Sequence, residues 1–157
     1  YRMSGAIKNL FGLLPAKRKV LRYHAKGLGD RKGMIFLDLY RNFPPDLVVV
    51  DGTISCEGNG PCGTPKKTDF ILTSDDALCA DIVLSQLMGF RPEEIPYLSL
   101  PLQRGARCEP LLVGEPIELI KPPFWKRARK YGLLANMIRI WGDNIRARWG
   151  KRRDSCS

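Results

Sequence analysis

Apolar residues fall along the chain in short blocks, punctuated by glycine and proline. Met3–Leu14 is short and mostly apolar and stops at Pro15, which predicts a helix or a helix-like turn. Ala16–Lys32 is basic and broken by Gly27 and Gly29, and reads as a loop. From Gly33 to Phe43, Met34, Leu37 and Tyr40 recur at helical spacing with Ile35, Phe36 and Leu39 between them. This predicts a buried helix stopped by Pro44–Pro45. Leu47–Val50 reads as a short buried strand, which would leave Asp51 at its C-terminal end. Glu57–Pro65 is rich in glycine and proline and predicts a loop, and Asp69–Leu72 a second strand. Thr73 and Ser74 are placed to cap a helix over Asp75–Met88, with Leu78, Ile82, Val83 and Leu87 as its buried stripe and Gly89 as its stop. Pro92–Glu93–Glu94 suits a first helical turn, in a helix that Pro96 and Pro101 would cut short. Leu111–Val113 reads as a third short strand.

Strands alternating with helices predict an α/β layered sandwich with a short-stranded central sheet. After the break at Pro122–Pro123 the pattern changes. Phe124, Tyr131, Ile138 and Ile145 repeat every seven residues, with Leu134, Trp141 and Trp149 near the same face. Lys126, Arg127, Arg129, Lys130, Arg139, Arg146 and Arg148 take the other positions. This predicts a C-terminal basic amphipathic helix, interrupted near Gly142. The expected division is an α/β domain over residues 1–120 and a basic helical tail over 121–157.

Charge sharpens that division. Residues 1–120 carry 15 Lys and Arg against 14 Asp and Glu, whereas residues 121–157 carry 11 against 2. The excess of positive charge belongs to the tail, which counts against nucleic acid as a partner of the folded body. Over residues 122–150 it suits docking on an anionic membrane surface, with tryptophans at the interface, or packing against a partner. No run of 18 apolar residues occurs, so no membrane-spanning helix is expected. Five scattered cysteines without a CxxC pair argue against a disulfide scaffold and against a cluster or zinc ribbon built within the chain. They point to a reducing compartment, and the expectation is a cytoplasmic protein with a membrane-peripheral tail.

Three polar stretches sit at element ends. Lys8–Asn9 has His24, the one histidine, downstream; flanking Arg22 and Lys26 favour its neutral ring, the form that binds metal or acts as a base. Asp51 precedes the loop containing Glu57, Gly58, Gly60, Pro61 and Gly63. Backbone N–H groups of such a loop can cradle an anion, and a tight turn needing positive φ explains the glycines equally well. Asp75, Asp76 and Asp81 form the third stretch. Asp51, Glu57, Asp76 and Asp81 can supply oxygen ligands to a cation, although acids in a first helical turn also offset the helix dipole. Asp81 has apolar neighbours and needs a partner, for which Lys8, a backbone cap or a metal would serve. Cys56 and Cys62 flank the glycine-rich loop as a soft-metal site, a redox pair or plain loop cysteines.

The ordered set of segments resembles the DUF362 family, a domain of unknown function sometimes found in iron–sulfur proteins. The matching pieces are Gly5-Ala6-Ile7-Lys8-Asn9-Leu10-Phe11-Gly12, Lys19, His24, Val50-Asp51-Gly52, and Glu57-Gly58-x-Gly60-Pro61-x-Gly63 with Pro65. Asp76-x4-Asp81, Met88-Gly89-Phe90 and Val113-Gly114 complete the set, which spans residues 4 to 116. The resemblance implies a redox-associated protein with a polar metal- or anion-binding cleft, its electrons supplied by a ferredoxin-like partner. The cofactor would be a metal ion, or an iron–sulfur cluster in that partner or in a further module. It also implies a family segment ahead of residue 1. Lys8, Asp51 and Glu57 are then the expected catalytic residues, and Asn9, Gly58, Gly60, Pro61, Gly63 and Asp76 the expected ligand contacts. His24, Asp51, Glu57 and Asp81 are the expected metal ligands. The rival reading is a non-catalytic small-ligand or metal-binding protein recruited to a membrane surface or partner by its tail.

Overall fold

The structure, a computed structural model of the chain, describes residues 3–15, 31–58, 63–121 and 125. The helices are α1 (Ala6–Asn9), continued by a 3-10 turn over Leu10–Leu13, and α2 (Arg31–Asn42). A hairpin follows, made of β1 (Val48–Glu57) and β2 (Thr64–Ser74). Then come α3 (Ala77–Leu87), a 3-10 turn over Pro92–Glu94, α4 (Pro96–Gln103) and α5 (Ile117–Ile120). The class is mixed α/β, as the sequence predicts.

The sheet differs from the expected one. Among the described residues it has two strands, joined by residues 58–63, a connection too short for anything but an antiparallel pair. Each strand extends well past its apolar run, so Asp51 sits inside β1 and not at its end. Leu111–Val113 forms no strand; Leu111 and Val113 are exposed. Pro96 opens α4 instead of cutting it, because proline's missing N–H costs nothing at a first helical position.

The chain divides into two compact units, one of residues 1–55 and 67–125, the other of 56–66 and 126–157. In the first, α3 is the central helix. Ala77, Leu78, Ala80–Ser85 and Leu87 are all buried, which is the mark of a helix packed on every side. It packs against α1, α4 and α5, and α2 packs against α1 and α4. Phe36 links the two groups, meeting Phe11 and Tyr97 edge-on at centroid distances of 5.5 and 5.8 Å.

The hairpin stem joins the core through Val48, Gly52 and Phe70. A Cβ on Gly52 would stand 2.3 Å from the Phe70 ring, so the ring lies where a side chain would otherwise be. The ladder is irregular beside this pair. Thr53 and Ile54 are both exposed, breaking the alternation of β1, and Asp69 on β2 has φ +48. Thr68 spans the break, donating to the Gly52 carbonyl and meeting the Ser55 hydroxyl at 2.8 Å. These are the signs of a β-bulge.

Candidate functional site

Asp76 and Asp81, at the N-cap and in the second turn of α3, make polar contacts with α2 and with the start of α1. Asp76 is the N-cap of α3, with Oδ1 accepting the Cys79 N–H at 2.8 Å. Its Oδ2 accepts from the Tyr40 hydroxyl of α2. Burial, then the Asp76 carboxylate, raise the Tyr40 pKa. Thr73 and Ser74 do not cap the helix; the Ser74 hydroxyl instead donates to the Asp76 carbonyl at 2.9 Å.

Asp81 is fully buried. Its Oδ1 accepts the Ala6 N–H at 2.6 Å and its Oδ2 the Ile7 N–H at 3.0 Å, and the buried Tyr97 hydroxyl is close enough to act on it electrostatically. Among the partners the sequence left open, the structure shows a backbone cap: the carboxylate holds orphan donors of α1. Burial pushes its pKa up to about 6 against the pull of those hydrogen bonds. Glycine at position 5 is what permits the approach, because a Cβ there would lie 2.0 Å from Asp81 Oδ1. Lys8, one turn on, donates from Nζ to Ser4 Oγ at 2.6 Å, and burial lowers its pKa. Asn9 beside it is exposed. Ser4 precedes the N-cap of α1 and Lys8 and Asn9 are its last two residues, so the Lys8 amine reaches back along the helix to the Ser4 hydroxyl.

The hairpin acids stand apart from one another. Asp51 is exposed, and its Oδ1 accepts from Thr53 twice, from N at 2.9 Å and from Oγ1 at 2.6 Å. Those two bonds, the hydroxyl's first, lower its pKa. Glu57 lies six residues further along β1, at its last position. It is buried and ion-paired with Lys66 at 3.6 Å. Gly58 turns the chain at φ +85, and Gly63 lies against the Glu57 carbonyl. His24, Gly60, Pro61, Cys62 and the tail helix lie outside the described residues, apart from Trp125. That tryptophan is half-buried and donates its indole N–H to the Leu87 carbonyl at the end of α3, at 3.1 Å, so it is not the exposed interfacial residue the pattern suggested.

The structure thus brings Lys8 and Asn9 to the helix that rests on Asp81, and leaves Asp51 and Glu57 each with a partner on the hairpin. Among the described residues no three of His, Cys, Asp and Glu form a group able to hold a metal ion. Two surface depressions, one lined by Leu14, Ile35, Asp38, Leu39, Asn42 and Phe43 and the other by Glu93, Glu94, Pro96, Ser99, Leu100 and Gln103, contain none of the predicted site residues.

The sequence reading gives no disulfide, and the structure contains one. Cys79 and Cys108 are joined by a disulfide, with Cα atoms 5.6 Å apart and a sequence separation of 29. Scattered cysteines without a CxxC gave no hint of it, because the pair is made by the fold and not by spacing. The sequence also missed Ser4, Tyr40 and Tyr97, which carry no motif and matter only through long-range contact.

Residues 1–86 match the family model described as a domain of unknown function (DUF362), more than half of the chain. The chain belongs to this family. It is similar to a thylakoid-associated protein, sll1697, of Synechocystis sp. (strain ATCC 27184 / PCC 6803 / Kazusa), at 31% identity over 105 residues, 66% of this chain and 33% of that protein. The chain spans about a third of that relative's length. No solved structure matches it. No helix among the described residues is long and apolar enough to cross a membrane.

Proposed function

We propose that the chain is a membrane-peripheral, anion-binding member of its family, recruited to an anionic bilayer surface by residues 122–150. The observation that carries this reading is the charge distribution: 11 Lys and Arg against 2 Asp and Glu after residue 120, on a body that is almost neutral. The similarity to a thylakoid-associated protein supports it. The ligand contacts in this reading are Lys8, a half-buried amine that donates to the Ser4 hydroxyl, and the exposed Asn9 next to it in sequence. Of the three residues expected to act in catalysis, Lys8 has the setting that favours a chemical role, and Asp51 and Glu57 serve the hairpin. The test is co-sedimentation of the full chain with vesicles of neutral and of anionic lipid. Binding to anionic vesicles alone, lost at high salt and in Arg127→Glu/Arg129→Glu/Lys130→Glu, is the expected result. Equal binding to both lipids, or none to either, would sink it.

The redox-associated reading rests on the family resemblance. The described residues do not fit an iron–sulfur cluster, which takes four thiolates: Cys79 and Cys108 are bonded to each other, leaving Cys56 as the free cysteine among them. In this reading the cluster sits in a ferredoxin-like partner, and copurification under anaerobic conditions with iron and sulfide analysis tests it.

A further inference from the structure

The segment between α4 and α5 is held in an unusual way. At its start the Ala106 N–H donates to the Pro101 carbonyl at 2.9 Å, and at its end the Pro116 carbonyl accepts from Leu119 at 3.0 Å. Between those points, residues 107–115 make no hydrogen bond or ion pair with any other described residue. Residues 109–116 are exposed throughout, Leu111 and Val113 each at 90%. The bond from Cys108 to Cys79 is what ties this stretch to the core. At the other end of that bond, the first turn of α3 does not depend on it: Asp76 caps the turn, and Leu78 and Ala80 on either side of Cys79 are buried.

We propose that Cys79–Cys108 is a thiol–disulfide exchange site, served by a dithiol redox protein, and that its reduction frees residues 107–115 while the helical core stays folded. This is independent of the membrane reading. Cys108 is the sulfur attacked, since its neighbours Arg107 and Glu109 are exposed whereas those of Cys79 are buried. The incoming thiolate bonds to Cys108 Sγ and expels Cys79 Sγ as a thiolate, giving a mixed disulfide. The reductant's second thiol then displaces Cys108 Sγ. The products are two protein thiols and an oxidised reductant, with two electrons and two protons transferred. The freed stretch carries Leu111, Leu112 and Val113, an apolar triplet that begins three residues beyond the lost anchor.

The experiment uses the full chain, alkylated before lysis so that its thiol state is preserved. Peptide mapping is expected to find a cross-linked pair containing Cys79 and Cys108. Limited trypsin digestion then reports the segment, because Arg107 lies within it. Cleavage after Arg107 is expected to quicken at least about tenfold in dithiothreitol, with the helical circular dichroism unchanged. Cys108→Ser is expected to be cut at the fast rate with or without reductant, and Cys56→Ser to behave as the wild type. Absence of the cross-linked pair, an unchanged cleavage rate, loss of helix on reduction, or a response abolished by Cys56→Ser would each overturn the proposal.

Discussion

Asp81 and Asp51 are the same side chain in opposite circumstances. Asp81 is buried in the central helix and accepts backbone N–H groups from residues 74 and 75 positions away; Asp51 is exposed on the hairpin and accepts from a residue two positions away. Burial raises the first pKa, and local hydrogen bonds lower the second. The difference teaches that two carboxylates of one family motif set can have entirely different structural partners. Asp81 organises the start of the chain, whereas Asp51 organises little beyond its own strand.

The sharpest way to break the contrast is to remove both acids in turn. Asp81→Ala strands two buried backbone donors and leaves a cavity, and is expected to cost about 3–5 kcal/mol in urea unfolding. Asp51→Ala, on an exposed residue with only local bonds, is expected to lower the urea midpoint far less. A small loss at Asp81 would mean that α1 is not held by it.

The two acids should also give opposite pH slopes. The Asp81 pKa is raised on folding from 3.8 to about 6, so the folded state binds the extra proton. Its contribution favours folding below pH 4 and is lost as the pH rises through 6, a change of about 3 kcal/mol. Asp81→Asn should flatten that window. Asp51, with its pKa lowered, works the other way: it contributes above its unfolded pKa and loses that contribution as the pH falls. Denaturation series between pH 3 and 7 measure both, and a wild-type stability that rises from pH 4 to 6 and does so again in Asp81→Asn would contradict the assignment.

Two smaller effects refine the picture of α1 and α3. Gly5→Ala places a methyl where Asp81 Oδ1 stands and is expected to cost about 2 kcal/mol. Gly12→Ala, with nothing within 4 Å of the added carbon, is the neutral control. Tyr40→Phe removes one of the two side-chain bonds on Asp76 and is expected to cost about 1 kcal/mol. Thermal melts rank the three, and equal melting temperatures for the two glycine variants would remove the steric argument.

How much of this was legible follows from the range of the interactions. The helices over Arg31–Asn42 and Ala77–Leu87 were readable because apolar spacing and stop signals are local. The family was readable because its motifs keep their order along the chain. The hairpin was read too short: beyond Val50 and before Asp69 its strands are polar, and the bulge at Thr53–Ile54 disrupts the alternation that marks a strand. Leu111–Val113 looks like a strand in sequence, but no neighbour pairs with it among the described residues. Of the candidate site, Asp81 was singled out correctly as needing a partner. That the partner is backbone at Ala6 and Ile7 is a fact of tertiary packing, as is the meeting of Cys79 with Cys108.

The two-stranded hairpin has a practical consequence for anyone handling the protein. A ribbon of two strands has two outer rims, and each rim is a template on which another extended chain can add. Val49, Ile54 and Ile71 make the outward side sticky, while the paired charges of Lys67 and Asp69 keep neighbours off. Salt screens those charges and strengthens apolar adhesion. Concentrated stocks should therefore cloud soonest in sulfate buffers, and replacing Ile71 with lysine should keep them clear.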